Sequence, residues 1–414
     1  MNLATARRLL RYNYGTKKNM AQFDKAPPRQ NKPHPDGAFI RDPFTWQNYL
    51  LLSLYALLQA ALGPLQPFLR EELALSYTVA GLHMSAFALG MIGAGSVVDR
   101  FLTGRPARHA FWLGSAGMVA GGVLLIGGRH PALTIAGALV MGLLGSVLLV
   151  AIQANLTREH GAHSATALTE ANVVASAGAA LAPLLIGLLE RWQVGWRGLL
   201  PVVAGAFLLV LVAFPAGRGP RRLPPEEDAG RGGLPLRFWL YWLVIFAVVA
   251  IEWCIAFWGA AFLEAEGGLP AASAATTMSV FFWAMILGRY FGSRLTRRTR
   301  SARLLLVALG IVAMGFPLFW LGPSPQVTVL GLFIAGLGIA NLFPLALAAA
   351  LNAAPGQADL ASARAATGGG LAILLLPQLL GAVADVAGLA QAYAVVVVLL
   401  PLAVVLTLVA SRER

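Results

Sequence analysis

The sequence predicts an all-α membrane protein of twelve transmembrane helices, set as two bundles of six with both termini cytoplasmic. Three observations carry this. First, 58% of the 414 residues are hydrophobic and 12% are charged, whereas soluble domains carry roughly 25% charged residues. Second, twelve apolar segments follow one another, each near the ~20 residues that cross a ~30 Å hydrocarbon core. A polar, Pro/Gly-rich break, AGRGPRRLPPEEDAGRGGLPLR (216–237), divides them six and six. Third, the basic residues fall in alternate gaps between the segments.

The order along the chain is as follows. Residues 1–44 carry nine lysines and arginines and a proline-rich part from Ala26 to Asp36. They read as a disordered, basic cytoplasmic tail resting on anionic lipid. The first 40 residues lack an apolar core segment, so no cleavable signal peptide is expected. The N-terminal bundle, 45–215, holds spans at 46–68, 77–98, 109–127, 132–154, 166–189 and 197–215. The cytoplasmic linker is 216–237. The C-terminal bundle, 238–411, holds spans at 238–263, 271–292, 303–322, 326–350, 365–386 and 389–410. With the N-terminus inside, 27 lysines and arginines face the cytoplasm and four face outward: Arg70, Arg129, Arg191 and Arg197. Cytoplasmic loops are enriched in these residues, and a missed or extra span would scramble the bias.

Several function classes are set aside by composition. The net charge of +13 sits in the gaps between apolar runs, which fits a membrane surface and not nucleic acid. The single cysteine, Cys254, lies in an apolar run, so it forms no intramolecular disulfide or cysteine-cluster metal site and reads as a small packed hydrophobe. No HExxH, no P-loop and no GxSxG with suitable partners is present. Neither an enzyme, nor ATP-driven pumping, nor a cofactor or metal is expected. The expected partners are the lipid bilayer, a small-molecule substrate and a proton, with the protein a monomer of the cell membrane.

Four motifs stand in the gaps and helix ends. Span 2 ends in Gly95-Ser-Val-Val-Asp99-Arg100, followed by Gly104-Arg105. Span 8 ends in Gly288-Arg289-x-x-Gly292-Ser293-Arg294, with Arg297 and Arg298 beyond. Gly195-Trp196-Arg197 precedes span 6, and span 10 contains GLGIANLFP, Gly336 to Pro344. Together with the six-plus-six layout, these resemble the major facilitator superfamily of secondary transporters over residues 45–411. The sequence departs from the pattern in places. Phe101 to Thr103 separate Arg100 from Gly104, Pro106 replaces a basic residue, and the second-half copy lacks its aspartate. The resemblance implies alternating-access transport of a small organic solute. It also implies a cytoplasmic gate at Gly95, Asp99, Arg100, Gly104 and Arg105, echoed at Gly288, Arg289, Gly292 and Arg294. Asp99 would there face the start of span 11, near Ala365, where a helix N-terminus carries roughly +0.5 charge and favours an anion.

The candidate substrate and ion residues are polar groups at membrane depth, where an ionisable side chain is functional by default. Glu252 stands near the middle of span 7 in VVAIEWCIAFW, with at least ten mainly apolar residues on either side. Burial disfavours a carboxylate, which suits reversible protonation, so Glu252 reads either as the proton-coupling residue or as a structural carboxylate bonded to a neighbouring helix. Tyr55 and Gln59 share a face of span 1 at comparable depth, and Trp253 and Trp258 supply aromatic surface on span 7. Such faces fit a sugar, or a flat or cationic drug; the alternative for each aromatic is core or interface packing. Gln153, Asn155 and Asn172 lie towards the cytoplasmic half, where Glu170 either lines a vestibule or caps span 5. Asn341 and Gln378 are further substrate candidates on spans 10 and 11. Arg289 is expected to snorkel to the cytoplasmic interface, and His83 to be packed and hydrogen-bonded.

The leading reading is a proton-coupled secondary transporter. Two alternatives remain. Gly178-Ala-Ala-Leu-Ala182-Pro183-x-x-x-Gly187 partly resembles the signature of drug/proton antiporters, with alanine in place of its second glycine. A membrane-embedded sensor or enzyme is the other class.

Overall fold

A chain in lipid must pair its own backbone groups, so apolar runs of this length become helices. The computed structural model describes residues 39–94, 107–214, 233–295, 299 and 301–412. Residues 1–38 of the basic tail, the gate residues Gly95, Asp99, Arg100, Gly104 and Arg105, the pair Arg297 and Arg298, and most of 216–237 lie outside the described residues. Among the described residues all regular structure is helical. In order it comprises α1 (Pro43–Ala61), α2 (Gln66–Leu73), α3 (Tyr77–Ala94), α4 (Ala107–Gly127), α5 (Pro131–His160), α6 (Ser164–Arg191) and α7 (Leu199–Ala213). Then come α8 (Leu236–Ala265), α9 (Ala271–Leu295), α10 (Ser301–Leu321), α11 (Pro325–Ile339), α12 (Leu342–Asn352), α13 (Ala358–Ala387), α14 (Leu389–Ala392) and α15 (Ala394–Arg412).

Local chemistry explains where these helices begin and break. Asp42 is extended, its carboxylate takes the Thr45 N–H at 2.7 Å, and Pro43 follows at the first helical position of α1. Span 1 is the pair α1 and α2, bent by 47°, and Gly63 and Pro64 stand at the break. Span 10 is α11 and α12, interrupted at Ala340–Asn341 just ahead of Pro344, which cannot donate to the ladder. Span 11 starts earlier than expected, since α13 opens at Ala358; its first two turns carry too many polar residues to read as membrane sequence.

By length and composition ten stretches can cross a bilayer, or eleven with the bent pair counted as one span. The 61-residue stretch Pro131–Arg191 is one of the ten. It is nevertheless two passes. Gly145 on α5 lies against the Tyr55 ring and Gly178 on α6 lies against the Ser53 carbonyl, so both sit at one depth beside α1. The chain therefore reverses at the turn Gly161–His163, and each of the twelve expected spans has its helix or helix pair.

Helix α4 packs on α5, α5 on α3, and α1 on α6; in the later spans α10 packs on α11, and α8 on both α13 and α15. Extensive contacts also join the first six spans to the last six, through α3 with α13 and α6 with α9. The core of the later spans is an aromatic cluster of Phe262, Phe316, Phe319 and Tyr393. Cys254 is buried beside it, its carbonyl accepting from the Tyr393 hydroxyl at 3.3 Å, in the packing role expected of it. His83 is fully buried, with Nδ1 3.0 Å from the Ala80 carbonyl and Nε2 2.8 Å from the Thr134 hydroxyl, tying α3 to α5.

The two ends of the bundle differ. At the end bearing Tyr77 the spans close over one another. Asp385, at the end of α13, accepts the backbone N–H groups of Tyr77 at 2.7 Å and Thr78 at 2.8 Å. Gly63 lies so close to α8 that a Cβ there would fall 2.8 Å from the Phe257 Cα. At the other end, bearing Arg41, the Glu170 carboxylate takes two bonds from the Arg41 guanidinium, at 2.5 and 2.8 Å, and one from the Tyr49 hydroxyl at 3.3 Å. That hydrogen-bonded carboxylate holds the Arg41 guanidinium above its ordinary range.

Candidate functional site: a central cavity

A cavity of about 240 Å³ lies between the first six and the last six spans. Helix α1 contributes Ala56, Gln59 and Ala60; α3 contributes Met84; α6 contributes Asn172, Ala175, Ser176 and Ala179. From the other side α8 contributes Glu252, Trp253 and Ala256, and α9 contributes Phe282, Met285 and Arg289. Gly63 lines its end nearest Tyr77, where the close contact with Phe257 seals it. Asn172 and Arg289 are exposed, so the cavity opens towards the Arg41 end.

Glu252 thus stands in the wall of an internal void, midway along a 30-residue apolar helix. Gln59, Asn172 and Trp253 line the same void, as the sequence suggests. Asn172 uses its amide on the Leu168 carbonyl at 2.8 Å, one turn back.

Other expected residues face elsewhere, for reasons of helix geometry. Trp258 follows Trp253 by five residues, well around the helix, and is fully buried. Its Nε1 donates to the Pro377 carbonyl at 2.7 Å and its ring packs edge-on against Tyr77, so it supports the closed end. Tyr55 is buried against α5 and is not among the lining residues. Gln153 is exposed on α5, and Asn155 is buried with its Oδ1 accepting from Arg158 at 2.9 Å. Gln378 faces α3 beside Gly81. Asn341 donates to the Gly288 carbonyl at 2.8 Å and belongs to a separate apolar groove with Gly288 and Gly292. Glu170 neither lines the cavity nor caps α6, because Arg41 holds it.

Arg289 is the main correction. It does not snorkel to the interface but lines the cavity, and its guanidinium donates to the Ser176 hydroxyl on α6. Gly288 and Gly292, four residues apart, share the face of α9 that packs on Leu337 and Asn341. Arg289 is one residue further, about 100° around the helix, and so meets α6. Arg294 stays local, bonded to the Tyr290 hydroxyl and lying 4.4 Å over its ring. Sequence reasoning also missed Ser176 and Phe282. Their signals were present: Ser176 lies one turn after Asn172, and Phe282 lies two turns before Arg289.

Twelve helical passes around a largely apolar cavity that opens to one end, with a few polar groups in its wall, are the architecture of a multi-pass secondary transporter. The chain belongs to the Major Facilitator Superfamily, whose family model matches residues 49–377. It is 27% identical over 346 residues to an uncharacterized MFS-type transporter of Yersinia pestis, covering 82% of this chain and 89% of that one. Among solved structures it is similar to a bacterial homolog of the human lysosomal transporter Spinster in an inward-facing, unoccupied conformation. There the TM-score is 0.72 at 17% identity, over 89% of this chain and 96% of that chain. It is also similar to a D-xylose–proton symporter, with a TM-score of 0.70 at 13% identity over 89% and 97% of the two chains.

Proposed function

We propose that this transporter moves a small organic solute by alternating access and couples the movement to a proton on Glu252. The observation that carries the reading is the position of Glu252. A carboxyl at the middle of an apolar helix is expensive unless used, and this one lines a cavity that both sets of spans build. In a low-dielectric wall it can take and release a proton as the cavity is exposed to one side and then the other. The first bundle, 45–215, and the second, 238–411, rock about this site, with the Arg41 end cytoplasmic. On that orientation the closed Tyr77 end faces outward and the cavity opens inward. The Asp99 gate belongs to the same proposal, closing the cytoplasmic end in the opposite state.

The test is solute uptake into proteoliposomes under an imposed pH gradient. Accumulation that follows the gradient in wild type and vanishes in Glu252→Gln supports the reading. Full accumulation by Glu252→Gln would sink it. The direction of net flux in the same vesicles distinguishes import from efflux.

A further inference from the structure

We propose that the solute is a small organic monoanion, bound at Arg289, that crosses together with one proton as an electroneutral pair. This deepens the transport reading above and rests on it. Glu252 and Arg289 are the two charged residues in the cavity wall; the other polar lining groups are Gln59, Asn172 and Ser176. They share the void without forming an ion pair. Among the described residues the ion pairs are Arg41–Glu170 and Arg197–Glu72. The Arg289 guanidinium instead donates to a neutral hydroxyl, that of Ser176, and the residue is exposed where the cavity opens.

A guanidinium stays protonated at any working pH and presents five N–H donors in a planar fork. That fork matches a carboxylate or sulfonate, in preference to a sugar hydroxyl or an ammonium. With no carboxylate paired to it, the fork is available to a ligand. Trp253, Phe282, Met84 and Met285 supply apolar walls for the body of a small molecule.

Counting charge through the cycle gives the coupling. Empty, with Glu252 ionised, the cavity holds one positive and one negative charge. A proton alone leaves it with a net positive charge, and a monoanion alone leaves it net negative. Proton and monoanion together restore neutrality. Closing a low-dielectric cavity around unbalanced charge is strongly disfavoured, so the empty and doubly loaded forms are those that reorient. A neutral or cationic solute carried with a proton leaves the closed cavity positive. The monoanion is the class whose proton-coupled crossing does not. The two ligands need no contact with each other, because the shared void couples them.

Thermal unfolding of the purified full-length protein tests the class. The probes are matched sets: benzoate, benzamide and benzylamine; lactate and lactamide; gluconate and glucose. The expected result is a rise in Tm with at least one monoanion and none with its neutral or cationic counterpart. Arg289→Gln should weaken that binding about tenfold or more, and Arg289→Lys should restore part of it. Glu252→Gln should keep the binding. In wild type the affinity should fall as rising pH ionises Glu252, and in Glu252→Gln that fall should disappear. A fold defect in Arg289→Gln would not mimic this pH pattern.

In vesicles holding a pH dye, the binding anion should bring in protons one for one at any clamped membrane potential, beyond the leak seen with Arg289→Gln. Equal or stronger stabilisation by neutral or cationic probes, no stabilisation by any monoanion, or indifference to Arg289→Gln would each overturn the assignment. Proton-coupled uptake of a neutral or cationic solute would overturn the anion and leave transport standing. Anion binding sensitive to Arg289→Gln, with no flux of any probe, would overturn transport and leave the anion site.

Discussion

Removing the Asp385 carboxylate should release the closed end of the bundle. In any helix the first N–H groups lack partners. Those of α3 at Tyr77 and Thr78 are met by a side chain some 300 residues away in sequence, at 2.7 and 2.8 Å. The carboxylate also sits at the positive end of the α3 dipole. Both bonds are exposed, so the values for buried charged bonds overstate them. Losing a helix cap typically costs about 0.5–2 kcal/mol, and the dipole adds about 0.3–1 kcal/mol. We take about 1–2 kcal/mol for Asp385→Ala. If the clasp exists only while this end is closed, the whole of it biases the two-state equilibrium, by roughly 5- to 30-fold. The readout is a cysteine placed at Ala179, in the cavity wall, labelled by an impermeant maleimide from either face of the membrane. The native Cys254 is buried and adds little background. Labelling from the Tyr77 side should rise relative to the Arg41 side by that factor. Asp385→Asn, which keeps an acceptor but not the charge, should fall between. A ratio unchanged in Asp385→Ala would show that the clasp is incidental to closure.

Three further expectations use the same preparations. Glu252→Gln should lose accumulation above equilibrium yet keep solute exchange, measured by counterflow in the absence of a pH gradient. Gly63→Val should tilt labelling in the same direction as Asp385→Ala. A Cβ there meets the Phe257 Cα at 2.8 Å, and backbone cannot swing aside as a side chain can; an unshifted ratio would mean that the α1–α8 contact yields. His83→Ala should lower stability by about 1–3 kcal/mol, because it empties a buried site and strips a bond from Thr134. Its Tm should fall while counterflow per folded molecule holds; a selective loss of transport would move His83 into the mechanism.

Much of the fold was legible because lipid imposes a simple rule. Apolar length and the alternation of basic gaps mark each pass, and neither needs tertiary knowledge. What the sequence hid was rotation about each helix axis. Glu252 could be placed at the right depth, and a mid-helix carboxyl has few choices besides an internal void. Trp258 stands at nearly the same depth, but only the packed helix shows that its face meets Pro377 and Tyr77. Arg289 was misread for the opposite reason. Near a helix end, a long basic side chain looks like an interface anchor. Its true direction follows from the glycines beside it, which commit the adjoining face of α9 to α11. The Arg41–Glu170 pair was illegible too, since it joins residues 129 apart whose meeting depends on how α1 lies along α6.

The placement of Asp385 on α13 bears on how a closed end and a charged cavity fit one mechanism. The two helices run side by side in opposite directions, with the start of α3 beside the end of α13. A carboxylate near the end of one is therefore set to cap the start of the other. Asp385 does so at the Tyr77 end. Under the proposed gate, Asp99, which lies outside the described residues, would do the same at the opposite end. In the proposed rocking cycle both ends cannot close at once, so two such caps would compete, each contributing only an amount comparable to a helix cap. A bias that small is easily outweighed by unbalanced charge in a closing cavity. On the proposed mechanism the clasps set which empty form predominates, while the charge on Glu252 and Arg289 decides which loaded forms cross.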